Sequence, residues 1–144
     1  MNKLDELLQM WSKDSVIDRT EPGKELINIP QLHSKYLNIL SRHRLLAKEC
    51  EYKFNRMKKL KWEYYTGKLD DDQLKHYGWE PFPFVLKSEI NTYFDSDEDL
   101  NKLSAQRILN EEIVEVCQSI LKELNNRAWE LKSFIDWERF IQGV

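Results

Sequence analysis

Between Gln31 and about Thr66 the chain holds neither proline nor glycine, and Tyr36, Leu40, His43, Ala47, Cys50, Phe54 and Met57 recur at alternating spacings of four and three. Side chains spaced in this way fall on one face of a helix, so the seam predicts a helix of roughly 50 Å at about 1.5 Å per residue. Leu32, Ile39, Leu46 and Leu60 add a flanking stripe. The apolar face is then wider than a two-stranded coiled coil needs, which favours a helical hairpin or bundle. Pro30 suits the first turn, where its missing N–H has no helical partner, and Gly67 can take the left-handed conformation that ends a helix. Upstream, Leu4, Leu7, Leu8 and Trp11 mark a short amphipathic helix over 2–11. It is too short to be stable alone and must dock. Ser12 to Pro22 reads as a polar connection.

From Asp99 to Ile141 the chain again lacks proline and glycine. Leu103, Ile113, Val116, Cys117, Ile120, Leu121, Leu124, Ala128, Leu131, Phe134, Ile135, Trp137 and Ile141 form a broad apolar surface. Asn125-Asn126 leaves open whether this is one helix or two, since Asn tolerates a left-handed turn. The apolar face exceeds what one companion helix in so small a monomer covers, which predicts self-association.

Lys68 to Tyr93 is the least regular stretch. Asp70-Asp71-Asp72 reads as a solvated acidic turn, and Gly78-Trp79-Glu80-Pro81-Phe82-Pro83-Phe84 cannot be helical through its prolines. Extended backbone is expected there, with room for a short β segment near 79–86. Trp79, Phe82 and Phe84 either pack on neighbours or form a docking surface, since such rings are costly to leave in water. Asp95-Ser96-Asp97-Glu98-Asp99 places acids just ahead of the next helix, where they favour the positive end of its dipole. A calcium loop is excluded, because its sixth position is Leu100 instead of Gly and its twelfth is Gln106 instead of Glu. The reading is all-α in one domain over 1–144. It comprises the short helix 2–11, a long basic helix 31–67, an irregular aromatic connection 68–95 and a C-terminal helical oligomerisation region 96–142.

Composition narrows the function. A length of 144 residues suits one domain, and 41% hydrophobic with 33% charged residues is the balance of soluble helical proteins. Met1-Asn2-Lys3-Leu4-Asp5-Glu6 has acids where a secretory signal would be apolar, so no membrane association and a cytoplasmic location are expected. Cys50 and Cys117 sit on apolar stripes without CxxC spacing and read as buried free thiols. His33, His43 and His76 show no metal-ligand pattern, and four glycines offer no phosphate loop. Neither a metal, nor a cofactor, nor an enzymatic activity is expected.

Charge supplies the candidate chemistry. Gln31 to Lys68 holds ten cations (Lys35, Arg42, Arg44, Lys48, Lys53, Arg56, Lys58, Lys59, Lys61, Lys68) against three anions (Glu49, Glu51, Glu63). That stretch carries +7 and the rest −10, which together give the net −3 of the chain. The segment Lys58-Lys59-Leu60-Lys61-Trp62-Glu63-Tyr64-Tyr65-Thr66-Gly67 mixes cations with large aromatics. Phosphates need cations and unstacked bases need flat rings, so single-stranded nucleic acid is the fitting ligand. On a helical wheel Lys58, Lys61, Trp62 and Tyr65 share a face beside a core stripe of Phe54, Met57, Leu60 and Tyr64. Arg56 and Lys59 widen the positive surface, and Arg44 and Lys48 extend it towards the N-terminus. Four or five phosphate contacts would give a log-log salt slope of roughly −3. The competing reading is an ordinary solvated face with Trp62 and Tyr65 packed on a neighbour.

Three segments also resemble a known family. Lys13-Asp14-Ser15-Val16-Ile17-Asp18, His33-Ser34-Lys35-Tyr36-Leu37-Asn38 and Leu60-Lys61-Trp62-Glu63-Tyr64-Tyr65-Thr66-Gly67 are similar to the UvsY family of recombination mediators of T-even-type phages. The resemblance spans the first half of the chain. It implies a homo-oligomeric ring of roughly six or seven subunits that binds single-stranded DNA in the cytoplasm of an infected bacterium. It further implies that the protein helps load a RecA-like recombinase of the UvsX type onto DNA coated by the phage single-strand-binding protein, in recombination, repair and recombination-dependent replication. The family's two DNA-binding cations ahead of Tyr-Tyr-small-Gly correspond to Lys59 and Lys61. Where the family has Arg at the second, Lys61 keeps the charge without the planar fork. The alternative is a helical scaffold that binds only proteins.

Overall fold

The computed structural model describes residues 2–83 and 85–143. Five α-helices make up its regular structure: α1 (Lys3–Asp14), α2 (Pro22–Tyr65), α3 (Asp71–Tyr77), α4 (Ile90–Ser96) and α5 (Glu98–Gln142). A 3-10 turn, Lys87–Glu89, leads into α4. Among the described residues there is no strand, so 79–83 and 85–86 are irregular and the short β segment does not form there. Phe84 lies outside the described residues.

The helix bounds differ from those the sequence predicts. α2 opens at Pro22 and passes through Pro30. Pro22 occupies the first helical position that was assigned to Pro30, so Pro30 costs an interior backbone hydrogen bond that the long helix outlasts. The acidic turn is in fact the start of α3. Asp70 Oδ1 accepts from the Gln73 N–H at 2.8 Å while Gln73 Oε1 accepts from the Asp70 N–H at 2.9 Å, a reciprocal capping box. Gly78, at φ 70°, closes this helix in the left-handed region. Asn125-Asn126 does not interrupt α5.

The chain divides into two compact units, residues 1–45 with 109–144 and residues 46–108. In the first, Leu7, Leu32, Tyr36, Leu40, Ile113, Cys117, Ile120 and Leu124 form a buried core of α1, the first part of α2 and the last part of α5. His43 Nδ1 lies 2.7 Å from Asn110 Oδ1 while Tyr36 lies beside Cys117, so the two long segments run antiparallel here. Asp14 Oδ2 accepts from Lys35 Nζ (2.6 Å) and the Tyr36 hydroxyl (2.7 Å). Buried Arg127 donates from its two terminal nitrogens to the carbonyls of Asp14 and Ser15, each at 3.1 Å, closing the C-terminal end of α1. Two of the segments that resemble the mediator family thus meet at one carboxylate.

In the second unit Tyr65, Val85 and Ile90 form the core, with Trp62, Tyr64, Tyr93 and Phe94 around it. Phe54 faces Arg107 across the unit and Lys61 faces Asp97 and Asp99, again an antiparallel pairing. Trp79 and Phe82 pack against Tyr64 at ring separations of 5.0 and 5.7 Å, and the Tyr64 hydroxyl donates to the Glu80 carbonyl at 2.6 Å. These two connecting-segment rings therefore serve packing.

Candidate nucleic-acid interface

The end of α2 carries the cations and rings on which nucleic-acid binding was expected, and the structure sorts them into two sets. Arg56, Lys58 and Lys59 are exposed. Arg56 and Lys59 have no carboxylate partner among the described residues, and Lys58 places its ammonium 5.5 Å from the centre of the Phe94 ring. Lys48 is exposed and pairs with Glu51 on its own helix at 3.1 Å. Such an exposed pair is worth little and exchanges readily for a phosphate. Arg44, on the α2 segment of the first unit, is exposed.

Lys61 and Tyr65 belong to the other set. Lys61 is only 5% exposed, with Nζ 3.1 Å from Asp97 Oδ2 and 2.7 Å from Asp99 Oδ2. Its ammonium also stands 4.1 Å from the centre of the Trp79 ring, a cation–π contact. The Tyr65 hydroxyl donates to Asp97 Oδ2 at 2.6 Å, and its ring meets Phe82, Tyr93 and Phe94. Burial alone would push the Asp97 carboxyl up. The hydrogen bonds from Tyr65 and the Leu100 N–H, with the Lys61 charge, outweigh it and hold the carboxyl below its usual range. Burial, then the hydrogen bond to Asp97, pushes the Tyr65 phenol up, so both partners keep the protonation their contact requires.

Asp97 therefore does three things at once. Its Oδ1 accepts from the Leu100 N–H at 3.0 Å and caps α5, while its Oδ2 holds Tyr65 and Lys61. The acids ahead of α5 were read as dipole partners only, and the ion pair to Lys61 was missed. The open face shared by Lys58, Lys61, Trp62 and Tyr65 is corrected accordingly, since Lys61 and Tyr65 turn inward and Lys58 stays out. A signal existed. Extending the four-three spacing beyond Met57 lands on Lys61 and then on Tyr64 or Tyr65.

Trp62 lies between the two sets, half-buried against the core with Lys68 Nζ 4.0 Å from its ring centre. Tyr52, which the sequence reading passed over, is 54% exposed. Among the described residues no group of His, Cys, Asp or Glu could hold a metal ion, and no helix is long and apolar enough to cross a membrane.

An all-helical chain with a cation-rich helix surface braced from behind by a buried ion pair has the form of a nucleic-acid-binding accessory protein. A family model described as "Recombination, repair and ssDNA binding protein UvsY" matches residues 10–144, and the chain belongs to that family. The recombination protein uvsY of Enterobacteria phage T4 is 27% identical over 144 residues, covering 98% of each chain. Crystal structures of the bacteriophage T4 recombination mediator protein UvsY superpose with a TM-score of 0.84 at 25% identity, covering 99% of both chains, and 0.82 at 26%, covering 94% of this chain and 98% of the other.

Proposed function

We propose that this protein binds single-stranded DNA through the exposed cations of α2 and acts, without enzymatic activity of its own, as a mediator in recombination, repair and recombination-dependent replication. In this reading it helps load a RecA-like recombinase of the UvsX type onto DNA covered by a phage single-strand-binding protein, in the cytoplasm of the infected host. The observation that carries the proposal is the segregation of charge. Arg44, Lys48, Arg56, Lys58 and Lys59 are exposed on one helix, and of these only Lys48 has a carboxylate partner among the described residues. Lys61 and Tyr65 act indirectly, by fixing the end of α2, and Trp62 lies at the margin of the surface.

Self-association into a ring-like homo-oligomer of roughly six or seven subunits completes the proposal. Its support is the last part of α5, where Trp129, Trp137, Phe140 and Ile141 stand largely in solvent. Repeating a weak site around a ring raises the effective concentration of each next contact and tightens binding without sequence preference. Fluorescence anisotropy with a labelled oligonucleotide at two salt concentrations tests the proposal. Binding that weakens steeply with salt is expected, and salt-insensitive or absent binding would leave a protein-only scaffold.

A further inference from the structure

Tyr52 stands apart from the other rings of the second unit. Tyr77 stacks on Trp79 at 4.8 Å, Phe82 is held among Tyr64, Tyr65 and Tyr93, and Trp62 carries Lys68 over its ring. Tyr52 is more than half exposed, and among the described residues no ring or cation stacks on it. A single exposed tyrosine needs no explanation by itself. Its neighbours on the helix surface supply one.

At about 100° per residue, Lys48, Tyr52, Asn55, Lys59 and Trp62 fall within about 80° of one another on α2. Along the axis, Tyr52 lies about 6 Å beyond Lys48, Lys59 about 10 Å beyond Tyr52, and Trp62 about 4.5 Å beyond Lys59. Cation, ring, cation and ring alternate along one stripe. Of the acids that border the stripe, Glu51 is engaged by Lys48 and Glu49 by Lys53, and Glu63 lies four residues beyond Lys59. A ring with free faces between two ammonium groups matches a nucleotide, whose base offers a π surface and whose flanking phosphates are anions. An apolar protein partner would leave those ammonium groups desolvated and unmatched.

We propose that Tyr52 is the base-stacking residue of the α2 surface, taking the face of an unstacked base while Lys48 and Lys59 neutralise the flanking phosphates. The assignment rests on the proposed single-strand binding and adds the residue that reads the base as a ring. It is sequence-tolerant, since every base has a π face.

The experiment uses the full chain and a short labelled oligothymidine. Tyr52→Ala should weaken binding about 5- to 150-fold, which is the range for loss of one base–ring stack, with the log-log salt slope unchanged. Tyr52→Phe should bind like the parent, because the ring and not the hydroxyl makes the contact. Equal affinity of Tyr52→Ala and parent, alongside weakened binding by Lys59→Ala, would overturn the role of Tyr52 and leave the proposed function standing. Absence of binding by the parent would overturn both. Photocross-linking to a 5-bromouracil oligonucleotide gives an independent reading. An adduct on the Tyr52 peptide supports the assignment, and adducts confined to other aromatic peptides contradict it.

Discussion

Lys61→Met separates a buried structural lysine from a phosphate-binding one. The substitution keeps the length and apolar stem of the side chain and removes the ammonium group alone. Asp97, with a side chain only 3% exposed, would then keep the Tyr65 hydroxyl and the Leu100 N–H but lose its counter-charge. Breaking a buried pair by removing one partner costs about 3 to 5 kcal/mol, because the remaining charge stays out of water. The second arm, to Asp99, adds little since that carboxylate is 51% exposed. Against a typical total stability of about 5 to 15 kcal/mol this is a large share, and a fall in Tm of about 10 to 20 °C is expected. Circular dichroism melts of parent, Lys61→Met and Lys59→Met at matched protein concentration make the comparison, with Lys59→Met expected to melt like the parent. Asp97→Asn in the Lys61→Met background should cost less than the sum of the two single changes, since it removes the orphaned charge. A Lys61→Met protein that melts within about 2 °C of the parent would refute the argument and return Lys61 to the DNA-facing set.

Other consequences follow from the same contacts. Asp14 and Asp97 both have carboxyls held below their ordinary value, so the stability they contribute is present above about pH 4 and is lost as pH falls through their lowered values. Urea unfolding between pH 7 and pH 2 should show this acid limb, and Asp97→Asn should shrink it. Arg127→Ala should cost about 3 kcal/mol in urea unfolding, because two carbonyls at the end of α1 lose a charged donor. Cys117 is fully buried and burial pushes its thiol up to about 11. It should ignore a disulfide reagent at pH 8 until denaturant is added.

The two long helices were legible because a four-three apolar spacing leaves few alternatives, and the absence of proline and glycine from 31 to 66 and 99 to 141 removed the usual interruptions. Legibility failed where residue type was allowed to outrank position. Lys61 continues the seam, yet a lysine was assigned to solvent because an inward lysine needs partners, and Asp97 and Asp99 are distant in sequence. Tyr65 went with it. Tyr52, for which a stacking role is proposed, sits between cations but lies outside the dense motif at the end of the helix. The start of α3 is encoded by Asp70 and Gln73, whose spacing is that of a capping box, while the run of three acids fits a solvated turn equally well. The Arg127 clamp on the end of α1 was beyond sequence reasoning, since nothing local pairs a mid-helix arginine with carbonyls more than a hundred residues away.

The central claim is that the exposed cations of α2 carry single-stranded DNA. Its most direct test is the salt dependence of oligonucleotide affinity for the parent and for Lys58→Ala/Lys59→Ala. A single strand contributes about −0.7 to the log-log slope per phosphate neutralised, so the double variant should bind more weakly with a slope shallower by about 1.4, while its melting curve stays unchanged. An unchanged slope and affinity in a folded double variant would contradict the account.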